Sequence, residues 1–178
     1  FPIKNKKYAI ISSDVFKILP GKIIAYWISN KIINIFKNIN SLDKFSQPKQ
    51  GTSTGDNNKF LRLWFEVNIE NIYFNCKNSI QSKKSNLSWY PATKGGDYRK
   101  WYGNNEYIIN WLHDGEEIKS YRGSAVRNKD IIFKEALTWT GISSSNFGVR
   151  YCPKGYVFTV SGKPLVGKSS NDIKYILA

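Results

Sequence analysis

The chain has no methionine, one histidine and two cysteines among its 178 residues. A polypeptide that opens on Phe1 rather than Met is expected to be a piece of a longer protein or a processed product. His113, Cys76 and Cys152 stand apart with no CxxC spacing, so nitrogen and sulfur donors are too few for a zinc site. Two thiols in a domain of this size fit a reducing cytosol, with one disulfide as the alternative. Long apolar runs are missing as well. The longest, residues 23–28, falls far short of the roughly 20 residues that cross a bilayer. Phe1-Pro2-Ile3-Lys4 lacks the apolar core of a secretory signal. A cytoplasmic protein without membrane association is expected.

Acids are scarce too: 13 Asp and Glu face 27 Lys and Arg, a net charge of +14. The excess is uneven. Residues 1–50 carry nine Lys and two acids, residues 51–120 nine bases and eight acids, and residues 121–178 nine bases and three acids. Such a field attracts polyanions, of which nucleic acid is the commonest in a cytosol. An AT-rich genome offers a competing account, because 22 of the 27 bases are Lys. With 41% hydrophobic and 15% aromatic residues the chain can bury a core, which excludes a disordered basic tail. The length fits one domain, or one domain with a helical arm.

Tyr8-Ala9-Ile10-Ile11 reads as a short strand, and Ser12-Ser13-Asp14 as a cap before a helical turn at residues 15–19. Beyond Pro20-Gly21, Ile24, Ile28, Ile32, Ile35 and Ile39 recur at helical spacing, predicting a helix from Lys22 to about Asn38. Residues 51–58 are dense in turn formers and predict a loop. Alternation of Leu61, Leu63, Phe65 and Val67 with Arg62 and Glu66 predicts a strand over 60–67. Residues 68–88 are polar and read as a connection rather than core. Further strands are expected at 87–90, 107–111, 131–133, 138–142, 148–151 and 156–160, with a turn at Ser161-Gly162-Lys163. Ser170-Asn171-Asp172 caps a helical pattern that stops after seven or so residues, too short to be stable alone. The expected fold is α+β: a twisted, mostly antiparallel sheet or partial barrel with one long N-terminal helix and a truncated C-terminal one. Residues 1–50 would form an N-terminal strand and helix packing on a β-rich domain of residues 51–178.

Little in the chain supports catalysis. Val166-Gly167-Lys168-Ser169 ends like a phosphate loop, but the preceding glycine spacing and strand-to-helix context are wrong. No GxSxG elbow is present, and His113 in Leu112-His113-Asp114-Gly115 reads as a hairpin turn. Asp114, Glu116 and Glu117 read as a solvated loop. Residues 89–105 differ in kind, interleaving Lys94, Arg99 and Lys100 with aromatics, amides and the flexible Gly95-Gly96. Bases can neutralise phosphates, Arg or Asn can pair with base edges, and glycines let backbone approach a ligand. Trp101 and Tyr107 are expected in the core.

Gly51-Thr52-Ser53-Thr54-Gly55-Asp56-Asn57-Asn58-Lys59-Phe60-Leu61-Arg62-Leu63-Trp64-Phe65-Glu66-Val67, then Tyr90-Pro91-Ala92-Thr93-Lys94-Gly95-Gly96-Asp97-Tyr98-Arg99-Lys100-Trp101-Tyr102-Gly103-Asn104, then Asn110-Trp111 and Asp114-Gly115 form a pattern. It resembles the C-terminal portion of PglX-type adenine-specific DNA methyltransferases. These belong to phage-exclusion systems and are similar to single-chain restriction–modification enzymes with TaqI-like specificity domains. Leu19-Pro20-Gly21, residues 24–29, Arg127-Asn128 and Thr138-Trp139-Thr140 extend the resemblance over nearly the whole chain. It implies a target-recognition domain that docks on double-stranded DNA and presents an adenine to an upstream methyltransferase domain of the same parent chain. It also implies that the cofactor, S-adenosylmethionine, belongs to that parent. This chain has no Asn-Pro-Pro-Tyr-like tetrapeptide and no glycine-rich donor loop, so no catalytic, cofactor or metal residue is expected in it. DNA contacts are expected from Thr54, Asp56, Asn57 and Asn58; from Lys94, Gly95, Gly96, Arg99, Lys100, Tyr102 and Asn104; and from Arg122, Arg127 and Asn128. The alternative is a non-catalytic protein-interaction module whose basic charge serves solubility.

Overall fold

The computed structural model describes residues 12–144 and 146–177, so the strand expected at 8–11 lies outside the described residues. The chain divides into two compact units, Phe1–Lys44 and Phe45–Ala178. In the first, Ser12 Oγ accepts from the Asp14 N–H at 3.3 Å and opens a 3-10 turn, Ser13–Lys17. Gly21 and Lys22 then take left-handed backbone angles, with φ of 73° and 52°. Helix α1 spans only Asn30–Asn38, starting where Ser29 Oγ accepts from the Ile32 N–H. The helix expected from Lys22 therefore loses about its first two turns. The left-handed residues and the extended Ile23 break the helix before Ser29 caps it.

The second unit is α+β. Its elements in order are β1 (Ser46–Pro48), α2 (Asn57–Phe60), β2 (Leu61–Leu63), α3 (Ser79–Lys84), β3 (Trp89–Thr93), β4 (Tyr107–Asn110), α4 (Leu112–Ser120), β5 (Ala136–Thr140), β6 (Arg150–Cys152), β7 (Val157–Phe158), β8 (Gly162–Gly167) and α5 (Ser170–Leu177). One sheet has the order β1-β8-β5-β6 and is antiparallel throughout. The other runs β2-β4-β3-β7, with β3 and β7 parallel. Phe60, Tyr90, Ile109, Trp111, Ile118, Phe133 and Val157 share the largest core cluster. Burying each of the larger side chains contributes roughly 1.5–3 kcal/mol. Leu137, Leu165 and Ile173 seal α5 onto the first sheet.

Several predicted elements change character. The strand expected over 60–67 is only β2, because Asp56 Oδ1 caps α2 through the Lys59 N–H at 3.1 Å. Glu66 then accepts from the Leu63 N–H at 2.6 Å and folds Trp64–Glu66 into a 3-10 turn. Residues 68–88 supply buried Ile72 and Cys76 to the core rather than merely connecting strands. Residues 131–133 follow a 3-10 turn, Lys129–Ile131, and Phe133 has φ of 70°, which no strand accommodates. Of the turn expected at Ser161-Gly162-Lys163, Gly162 and Lys163 instead start β8, where they pair with β5.

The hairpin expected at His113 is a left-handed turn that feeds α4. His113, Asp114 and Gly115 have φ of 51°, 61° and 72°. Asp114 is buried rather than solvated: it accepts from Trp111 Nε1 at 3.4 Å and pairs with Lys119 at 2.8 Å. Glu117 pairs with Lys59 at 2.7 Å. Both thiols are free and buried. Among the described residues no helix is long and apolar enough to cross a membrane.

Candidate functional site

The two sheets meet at Thr93. Its Oγ1 donates to the Gly162 carbonyl at 3.0 Å, and Thr159 Oγ1 donates to the Thr93 carbonyl at 2.6 Å. Gly162 permits this contact, since a Cβ there would lie 2.8 Å from Thr93 Oγ1. Lys94, the next residue, emerges between two adjoining clefts and lines both, as does Ser161. Thr52, Thr54 and Asn57 line the first cleft; Gly96, Arg99 and Asn104 line the second.

The 51–58 loop is pinned along its backbone. Thr52 N–H donates to the Phe158 carbonyl at 2.7 Å, and Ser53 exchanges two 2.9 Å hydrogen bonds with Ala125. That exchange ties the loop to residues 122–128. Gly55 has φ of 73°, and a Cβ on it would stand 2.7 Å from the Ser124 nitrogen. Thr54 Oγ1 donates to Asn57 Oδ1 at 2.6 Å, and Asp56 is occupied in capping α2. Asn57 and Asn58 are exposed, the Asn58 carbonyl accepting from Arg62. Thr52 is 1% exposed, and its Oγ1 has no hydrogen-bond partner among the described residues. Such a buried orphan hydroxyl at a cleft needs a water or ligand partner.

The 94–104 loop is closed by Asn104, buried at φ of 59°, whose Nδ2 donates to the Asp97 carbonyl at 3.0 Å. Lys94 Nζ lies 4.5 Å from the Tyr107 ring centroid, a cation–π distance. Gly95 and Gly96 are needed for packing: a Cβ would lie 3.0 Å from the Ser161 carbonyl oxygen in one case and 2.9 Å from Asn104 Nδ2 in the other. The Gly96 carbonyl accepts from Thr140 Oγ1 at 2.9 Å. Arg99, Lys100 and Tyr102 are exposed. Tyr107 packs on the core as expected, whereas Trp101 is 54% exposed. Its ring faces outward because backbone bonds to residues 149 and 151 hold residue 101 in a left-handed conformation.

In the third loop Arg122 and Arg127 are exposed, while Asn128 Nδ2 donates to the Gln50 carbonyl at 2.9 Å. The ion pairs among the described residues of this unit are Lys59–Glu117 and Lys119–Asp114. Among the described residues, Lys94, Arg99, Lys100, Arg122 and Arg127 thus have no carboxylate within ion-pair distance. Arg150 is the basic residue that sequence reasoning missed. It is 2% exposed, and among the described residues its side chain donates one long hydrogen bond, 3.4 Å to Thr140 Oγ1. Burial, and then the neighbouring Arg99, hold its guanidinium pKa below the ordinary value. Nothing in the sequence around residue 150 distinguishes it from a surface base on a short strand. The cluster offers cations, amides and hydroxyls, with the carboxylates of Asp97 and Glu106 also lining the second cleft. Burial raises the pKa of both thiols, so neither is poised as a nucleophile. Among the described residues no three His, Cys, Asp or Glu gather to hold a metal ion.

The second unit is an α+β domain, and about nine-tenths of the chain is homologous in sequence to PglX-type adenine-specific methyltransferases. The chain is 39% identical over 160 residues to the adenine-specific methyltransferase BrxX of Escherichia coli O9:H4 (strain HS), an overlap of 89% of this chain and 12% of that protein. It is 36% identical over 172 residues to the adenine-specific methyltransferase PglX of Lacticaseibacillus casei (strain Zhang), covering 92% of this chain and 14% of that protein. The chain therefore spans about one-eighth of the length of these relatives. No protein-family model matches it.

Proposed function

We propose that this chain is the DNA sequence-recognition domain of a PglX-type adenine-specific DNA methyltransferase. It docks on duplex DNA and positions an adenine for a methyltransferase domain elsewhere in the parent polypeptide. The observation that carries this reading is that three loops, distant in sequence, adjoin through the two clefts and the Ser53–Ala125 bonds, and that the exposed cations of the second and third have no carboxylate partner among the described residues. Lys100, Arg122 and Arg127 neutralise phosphates. Arg99, Asn57 and Asn58, exposed and able to pair with base edges, read sequence. Thr54, Asp56, Asn104 and Asn128 hold the loops in shape through the hydrogen bonds given above, and Gly95 and Gly96 seat one loop on its neighbours. Lys94 and Tyr102 complete the contact surface.

S-adenosylmethionine belongs to the parent's catalytic domain in this reading, and Gly51 and Gly95 serve close packing against neighbouring backbone. A Cβ on Gly51 would lie 2.5 Å from the Phe158 carbonyl oxygen, and one on Gly95 3.0 Å from that of Ser161. Fluorescence anisotropy with labelled duplexes across a salt series tests the reading. The binding constant is expected to fall by about 0.9 log units per log unit of salt for every phosphate neutralised. Absent binding, or binding indifferent to salt, contradicts it.

A further inference from the structure

Trp101 sits near the end of the 94–104 loop with φ of 70°, a conformation that a bulky residue keeps only when its surroundings hold it there. The holding groups are visible. Trp101 N–H donates to the Val149 carbonyl at 3.3 Å, and the Tyr151 N–H donates to the Trp101 carbonyl at 2.7 Å. The residue is thus fixed by a parallel bridge to buried Arg150. Its indole is 54% exposed and neighbouring Tyr102 59% exposed. Lys100 Nζ stands 5.6 Å from the indole centroid. A left-handed backbone held by two hydrogen bonds thus presents a large apolar ring to solvent beside Lys100, with Arg99 two residues away in the chain.

We propose that the Trp101 indole stacks on a nucleobase of bound DNA at a position where the duplex stack opens. This rests on the reading of the loops as a DNA contact surface. An aromatic face stacks on any base, and a backbone fixed in advance spares the ordering cost of binding. Arg99 and Lys100 favour a polyanion over an apolar protein surface as the occupant. Bases inside an intact duplex are covered on both faces, so stacking requires local unstacking at the contact.

The experiment compares the 178-residue chain with Trp101→Ala and Trp101→Phe by duplex anisotropy over the same salt series. Trp101→Ala is expected to bind about 5- to 150-fold more weakly, the range spanned by loss of one base–aromatic stack. Its salt slope stays unchanged, since no phosphate contact is lost, and Trp101→Phe recovers most of the affinity. Wild-type affinity in Trp101→Ala overturns the proposal, as does a Trp101→Phe variant as weak as the alanine one. A second measurement needs no variant: photocrosslinking of the unaltered chain to duplexes carrying 5-iodouracil. An adduct on Trp101 supports the stack, and adducts confined to other residues overturn it. Failure of the unaltered chain to bind any duplex at low salt instead overturns the loop reading itself, and the proposal with it.

Discussion

At the scale of single residues, the glycines of this chain work for backbone packing. Gly55 and Gly123 face each other across the first and third loops with φ of 73° and 89°. They separate two costs. A Cβ on Gly123 would meet only the Gly55 Cα, at 3.9 Å, so Gly123→Ala pays left-handed strain alone, about 1–2 kcal/mol. A Cβ on Gly55 meets the Ser124 nitrogen at 2.7 Å as well, so Gly55→Ala is expected to lose roughly 2–3 kcal/mol. Urea unfolding of both variants checks the order; equal losses would show that the loop yields without cost. The sequence makes the turn at 51–58 legible through its Gly, Asn and Asp content. It does not show that Thr54 and Asp56 spend their polar groups on Asn57 and the Lys59 N–H, because composition says what can accept a hydrogen bond and not who donates it. Trp101 marks the same limit: aromatic content argues for burial, and only the backbone bonds to residues 149 and 151 turn the ring outward.

At the scale of elements, the strands expected at 107–111 and 138–142 meet β4 and most of β5, whereas β8 was concealed. Ser161-Gly162-Lys163-Pro164 has the composition of a turn, and proline removes a donor from any ladder. β8 tolerates Pro164 because N and C=O of one strand residue point the same way. The Pro164 carbonyl accepts from Lys49 N–H, just past the end of β1, so the missing N–H falls where that neighbour has ended. Capping signals were better guides. α5 begins one residue earlier than a cap at Ser170 predicts, because Ser169 caps it: Asp172 Oδ2 accepts from the Ser169 N–H at 2.7 Å and Ser169 Oγ from the Asp172 N–H at 3.2 Å. A second tie reaches α5 from the sheet: Glu135 accepts from Ser170 Oγ and, at 3.0 Å, from the Tyr151 hydroxyl. The Ser170 hydrogen bond, then that from Tyr151, holds the Glu135 carboxyl below its ordinary value of 4.5. A depressed carboxyl stabilises the fold fully above the unfolded value and loses that contribution as pH falls from about 4.5 through the folded one. The melting temperature of the wild type should therefore drop more steeply with acidification below about pH 5 than that of Glu135→Gln. Parallel pH profiles in thermal melts would refute the tie.

For the whole molecule, a net charge of +14 has two accounts that composition leaves equal: a general field for solubility, or a footprint for a polyanion. The structure separates them by location. None of the four lines either cleft, but Arg122 and Arg127 sit on a loop bonded to the cleft-lining 51–58 segment, whereas Lys83 and Lys84 close α3. Reversing either pair to Glu lowers the net charge from +14 to +10, so a long-range field weakens equally in the two variants. A footprint does not respond equally. If both arginines neutralise phosphates, Arg122→Glu with Arg127→Glu should reduce the slope of log affinity against log salt by about 1.8, at about 0.9 for each counterion no longer released. Lys83→Glu with Lys84→Glu should shift affinity modestly at low salt and leave that slope as it was. Duplex titrations at several salt concentrations measure both. Identical slopes in the two double variants would mean that the charge acts as a diffuse field, and that the three loops share a surface without sharing a ligand.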